Sequence, residues 1–92
     1  MKENTLRDKP YQQLLVANTI QRQFKQDILE SELVWHRDER DRQVTVVGQS
    51  DWMFQFDNQL PFTLKEPLFI PKDTYHRLIK GTGTLNVQIQ EY

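Results

Sequence analysis

The chain has 92 residues, no cysteine, 37% hydrophobic and 11% aromatic content, so it makes one small domain without disulfides or thiolate metal sites. Twelve basic residues against thirteen acidic ones leave a net charge of −1, which offers no global field for nucleic acid or an anionic membrane. No apolar run approaches the ~18 residues of a membrane span, and MKENTLRDKP lacks the apolar stretch of a secretion signal, so a cytoplasmic location is expected.

A mean hydropathy of −0.75 is polar for so short a chain. Five Phe, three Tyr and two Trp nevertheless supply enough bulk for a compact interior. A domain of this size buries only about 60–65% of its unfolded surface. So lean a core predicts association with a second copy, a homodimer.

Residues Met1–Pro10 are polar, end in a proline and read as an N-terminal arm; residues 11–92 read as a single domain. Tyr11–Ile28 has two readings. Ile20, Phe24 and Ile28 recur at intervals of four, which places them on one face of a helix and equally on one face of a strand. Periodicity therefore leaves a short helix within 11–28 and a strand equally open.

Glu30–Glu32 is a polar break. Leu33–Asp38 reads as a strand, with Leu33, Trp35 and Arg37 on one face and Val34, His36 and Asp38 on the other. Glu39–Arg42 is too charged for burial and suits a turn or strand edge, after which the β-branched Gln43–Val47 resumes a strand. Gly48–Asp51 is a turn by composition. Trp52, Phe54 and Phe56 then alternate with Met53 and Gln55.

Asp57–Gln59 is another turn signal, and Pro61 confines Leu60–Leu64 to an edge or a strand start. Leu68–Ile70 is a short strand and Pro71–Thr74 a turn. Tyr75–Ile79 alternates, with His76 and Leu78 on one face. Lys80–Thr84 holds two of the three glycines and reads as a hairpin, and Thr84–Gln90 closes with Leu85, Val87 and Ile89 on one side. Short strands at regular spacing, broken by Gly, Pro, Asn and Asp, predict an all-β sandwich or barrel.

The chemistry-bearing residues are His36, Asp38 and His76. A His-x-Asp pair on one strand turns both side chains to the same face, and a second histidine from a neighbouring strand completes two histidines and one carboxylate, the facial set that leaves open positions on iron. More than about 6 Å between the two rings' nearest nitrogens would not suit bonds of ~2.0–2.1 Å to one ion. Asp38 can equally orient His36 or pair with a nearby arginine.

Arg37, Arg40, Arg42 and Arg77 are able to grip a carboxylate or phosphate, but with Asp38, Glu39 and Asp41 among them a neutralised, solvated edge is the alternative. Trp35, Trp52, Phe54 and Phe56 suit either a pocket wall or the core, Tyr75 points away from His76, and Gln55, Gln88 and Gln90 suit inward or surface positions. Phosphate-loop, nucleophile–base and zinc-finger spacings are absent.

Leu33–Gly48 together with Pro71–His76 resembles the two motifs of small single-domain cupins, and the match spans roughly Ser31 to Ile89. In His-x-His followed by Glu, His36 and Asp38 stand at the first two positions and Arg42 where the Glu is expected. In Pro-x-Gly-x-x-His, Pro71 and His76 match while Asp73 replaces the glycine. The wording is also similar to uncharacterised cupin-like proteins of cyanobacterial tailed phages.

The resemblance implies a cupin-like double-stranded β-helix, a jelly-roll barrel, with strand rather than one long helix in Tyr11–Ile28. It further implies a divalent metal (iron, manganese, nickel or zinc) on His36, Asp38 and His76. Arg42, a cation, does not ligate; it would orient a small anionic ligand in a pocket shared with Trp52 and Phe54. Three functions follow as alternatives: a metal-dependent oxygenase or isomerase-type enzyme, a non-catalytic barrel for a small acidic ligand or sugar, and a protein-interaction module with a vestigial pocket. Whether the protein is an enzyme stays open at this point.

Overall fold

The computed structural model describes residues 11–29 and 33–92; the N-terminal arm and the break at 30–32 lie outside the described residues. Eight strands follow one another: β1 (Gln12–Val16), β2 (Thr19–Phe24), β3 (Arg42–Val46), β4 (Met53–Phe56), β5 (Phe62–Thr63), β6 (Leu68–Ile70), β7 (His76–Ile79) and β8 (Leu85–Glu91). Among the described residues there is no helix, and so none long and apolar enough to cross a membrane.

The strands form a five-stranded sheet in the order β1-β2-β8-β3-β6 and a three-stranded sheet in the order β5-β4-β7. Every pairing is antiparallel. From β3 onward the chain keeps changing sheet, from β3 to β4, from β5 to β6, from β6 to β7 and from β7 to β8. That repeated crossing winds two sheets around one interior and distinguishes a jelly roll from a simple meander.

The helical alternative for Tyr11–Ile28 falls to a hairpin. β1 pairs with β2 from Gln12↔Gln23 to Val16↔Thr19, across a tight turn in which Ala17 takes a φ of 55°. β2 in turn pairs along its whole length with β8, from Thr19↔Gln90 to Phe24↔Leu85. Long-range pairing settles what local periodicity left even, and Ile20 and Phe24 turn to the interior on one strand face.

The core sits between the sheets. Phe24, Trp52, Phe54, Leu64, Ile70, Leu85, Val87 and Ile89 are buried. Three of these form an alternating row on β8, the middle strand of the larger sheet, flanked by β2 and β3. A fully buried side chain of this kind contributes about 1.5–3 kcal/mol, so a short row of them matters in so small a domain.

Two sequence expectations need correction. Lys80–Thr84 is not a hairpin, since β7 pairs with β4 and β8 with β2 and β3. The segment is a crossing docked on the other crossing, 47–52. Thr82 donates from its backbone N and its Oγ1 to the Asp51 carboxylate (2.8 and 2.7 Å), and Trp52 donates its indole N–H to the Gly83 carbonyl at 3.0 Å. Gly81 is required by that close approach: a Cβ there would stand 2.8 Å from the Trp52 backbone nitrogen.

Leu33–Asp38 is likewise not a continuous strand. It makes a single bridge, His36↔His76, closed by N–H···O bonds of 3.0 and 2.9 Å in the two directions. Two residues on, the Asp38 carbonyl accepts from the Asp73 N–H at 2.8 Å, where Asp73 holds a φ of 62°. That left-handed conformation is natural to glycine and tolerated by aspartate, which accounts for Asp73 standing where a glycine was expected.

Candidate metal centre

The bridge is what assembles the site. Directly opposed residues of an antiparallel pair project to the same side, and the His36 and His76 rings meet edge-to-face with centroids 4.3 Å apart. Asp38, two residues along, keeps the face of His36. His76 Nε2 lies 3.3 Å from Asp38 Oδ2, and His36 Nε2 lies 3.9 Å from Asp38 Oδ1. One ligand atom from each of the three residues falls within 4.8 Å of the others, inside the limit of about 6 Å set for a shared ion.

Both rings are held in the same tautomer by the same local device. His36 Nδ1 lies 3.0 Å from the Val34 carbonyl and His76 Nδ1 lies 2.8 Å from the Thr74 carbonyl. A carbonyl only accepts, so each Nδ1 carries a hydrogen, and Nε2 is the ring atom turned toward Asp38. Asp38 Oδ2 is buried and has no hydrogen-bond partner. An Nε2 atom set against a buried carboxylate oxygen calls for a proton or a cation between them.

The carboxylate is kept ionised. Burial works to raise the Asp38 pKa, but the His76 ring, the Arg42 guanidinium and the two imidazoles together hold it below its ordinary value. Arg42 Nη1 stands 3.2 Å from Asp38 Oδ1, while its Nη2 and Nε reach Glu91 Oε2 at 2.7 and 2.8 Å. Arg42 and Glu91 are cross-strand partners on β3 and β8, so the guanidinium is gripped between two carboxylates. Its side chain is only 15% exposed, against the expectation that Glu39–Arg42 is too charged to be buried.

No family model matches the chain, and no curated protein matches it. Solved structures do. Protein NMB1881 from Neisseria meningitidis superposes with a TM-score of 0.60 at 18% identity, over 100% of this chain and 89% of that one. A candidate mannose-6-phosphate isomerase from Ralstonia eutropha JMP134 gives 0.60 at 16%, over 99% and 96%. A cupin-2 domain protein from Shewanella frigidimarina NCIMB 400 gives 0.58 at 20%, over 86% and 76%.

The fold is a cupin jelly roll.

The interior of this cupin barrel holds a cavity of about 490 Å³. His36, Asp38, His76 and Arg42 line it, and so does Phe54, whose ring stacks on His76 at 5.2 Å between centroids. Most of the remaining wall is apolar, from Phe24, Leu64, Ile70, Leu78, Val87 and Ile89 among others. Trp52, expected beside Phe54 in the pocket, is not part of the wall; it is fully buried in the core, tied to Gly83.

The other arginines disperse. Arg37 lies over the Tyr75 ring at 5.5 Å, and Arg77 lies over Trp35 at 4.7 Å while donating its Nε to Gln55 Oε1 at 2.9 Å. They decorate the surface of the cupin barrel, with Tyr75 and Trp35 exposed beside them.

Two residues of the cavity region escaped the sequence reading. Glu91 continues the inward parity of Leu85, Val87 and Ile89, one position past the expected strand end. Arg22 lies between Ile20 and Phe24 on the inward face of β2 and joins the cavity wall. The period-two signal that marks both was present in the sequence.

Proposed function

We propose that this cupin barrel binds one divalent metal ion (iron, manganese, nickel or zinc) through His36 Nε2, Asp38 and His76 Nε2, and receives a small anionic ligand in the adjoining cavity. The observation that carries the reading is the buried Asp38 Oδ2, left without a hydrogen bond, 3.3 Å from His76 Nε2. Two imidazoles and a carboxylate form a donor set suited to first-row divalent ions. Donors on one ion at ~2.1 Å stand closer together than 4.8 Å, so the His36 ring, 48% exposed at the rim, has to draw in by about an ångström.

An ion held by three protein groups keeps positions open, where it supplies Lewis-acid polarisation or a more acidic bound water. The chain's own residues do the rest. The Val34 and Thr74 carbonyls fix the histidine tautomers. Arg42, braced by Glu91, keeps Asp38 charged and aimed. Asp38, Glu91 and Arg42 together leave one net negative charge at the triad; a divalent ion reverses that sign and favours an anion beside it.

Metal analysis of protein purified from metal-replete growth tests this directly. One equivalent of divalent metal is expected, with loss in His36→Ala and His76→Ala. Protein that is metal-free and takes up none on titration refutes the reading.

A further inference from the structure

Arg22 is the exception in its row. On β2 the inward positions are Ile20, Arg22 and Phe24, and the residue opposite Arg22 on β8 is the buried Val87. A charge in such a place ordinarily comes with a partner of opposite sign. Arg42, on the same cavity wall, has two. Arg22 has no carboxylate within ion-pair distance among the described residues.

What Arg22 does have is a mount. Its guanidinium carbon lies 4.1 Å over the Tyr11 ring, and its Nε donates to Gln13 Oε1 at 2.6 Å, across the β1–β2 ladder. The aromatic face and the hydrogen bond fix the plane of the guanidinium while leaving the donors of both terminal amino groups unused by any carboxylate among the described residues. Partial burial pushes the group down from its ordinary pKa. Arginine nonetheless stays protonated in proteins.

The cavity lining therefore includes a guanidinium held in place without a direct ion pair among the described residues, together with the His36–Asp38–His76 triad and several apolar side chains. A planar two-pronged donor matches a carboxylate in bidentate fashion. A phosphate dianion would need a second cation, and Arg42 is already held by Asp38 and Glu91. A volume of about 490 Å³ is within the range of small-molecule sites.

We infer that Arg22 is the specificity residue of the cavity, clamping the carboxylate of a small monocarboxylic acid whose apolar body lies against Phe24, Leu78 and Ile89. This rests on the reading of the cavity as the functional site, but not on the presence of metal.

Titration calorimetry with benzoate and hexanoate, their uncharged amides and inorganic phosphate tests it, on chelator-treated and zinc-treated wild type, Arg22→Gln and Arg22→Lys. Wild type should bind at least one acid about tenfold or more tighter than its amide, Arg22→Gln should lose that preference, and Arg22→Lys should retain it at several-fold lower affinity. Should Arg22→Gln fail to fold, an Arg22→Lys affinity equal to wild type overturns the assignment. Equal binding of acid and amide, no binding by wild type, tighter binding of phosphate, or an undiminished preference in Arg22→Gln overturns it as well. Acid preference persisting in protein that takes up no zinc upholds Arg22 while refuting the metal centre, so the two failures are separable.

Discussion

Replacing Arg42 by methionine should make the protein less stable and at the same time a better metal binder. In the metal-free protein Arg42 separates two carboxylates, at 3.2 Å from Asp38 and 2.7 Å from Glu91, with its own side chain 15% exposed. Removing one partner of a fully buried ion pair costs about 3–5 kcal/mol. Glu91 is 31% exposed, so water screens part of that loss and about 2–3 kcal/mol is expected in urea denaturation of chelated protein. Removing Glu91 as well, in Arg42→Met/Glu91→Gln, should restore part of the loss, because Asp38 is then the one carboxylate of the pair left facing the missing cation.

Metal affinity should move the other way. A unit positive charge beside a liganding carboxylate opposes a divalent ion by about 1–2 kcal/mol even in a water-like dielectric, so a competitive chelator titration should show roughly tenfold tighter binding in Arg42→Met. A stability change under about 0.5 kcal/mol would mean the pair contributes no more than an exposed one. Weaker metal binding in Arg42→Met would mean that aiming Asp38 outweighs the charge effect, and the electrostatic argument would fail.

The docked crossings give sharper structural tests. Gly81→Ala should cost about 2 kcal/mol, because the new methyl meets the backbone of Asp51 and Trp52, whereas Gly83→Ala meets nothing and pays only the left-handed φ, about 1 kcal/mol; equal losses in thermal melts would contradict the packing described. Hydrogen bonds from the Thr82 hydroxyl and then from its backbone N–H hold the Asp51 carboxyl below its usual value. A depressed folded-state pKa contributes stability above the unfolded value of about 3.9 and loses it as pH falls through the folded one, so Asp51→Asn should flatten the acid side of the melting-temperature profile below about pH 4. Identical acid slopes in both proteins would refute that linkage.

Much of this barrel was readable because period-two alternation survives in single strands. Leu68–Ile70 has the expected bounds, and Leu85, Val87 and Ile89 face the core as their spacing required. The triad was legible for the same reason: His36 and Asp38 share a parity, and His76 is the one other histidine. What alternation cannot supply is depth. Trp52 and Phe54 share a face and both belong to the core, yet only Phe54 also lines the cavity, and position along the barrel separates them.

Nor does local pattern supply partners. The Lys80–Thr84 segment has hairpin composition, but which sheet β8 joins is decided by strands β2 and β3 far back in the chain. Arg42 looked available to a ligand because Glu91 lies 49 residues away. For Tyr11–Ile28, an interval of four satisfies both periodicities, so the decision fell to pairing with β8.

The His36–His76 bridge has a thermodynamic consequence. It is a single rung, two hydrogen bonds joining segments that lie on either side of strands β3 to β6. An unfolded chain scatters the three donors, so an ion that binds only their native arrangement adds its binding free energy to folding, about 2.7 kcal/mol at a hundredfold excess over Kd. Against the roughly 5–15 kcal/mol typical of whole domains, that is a large share for a core so lean. Metal supply would then govern how often this rung opens, and with it the barrel's lifetime against proteolysis as well as its chemistry.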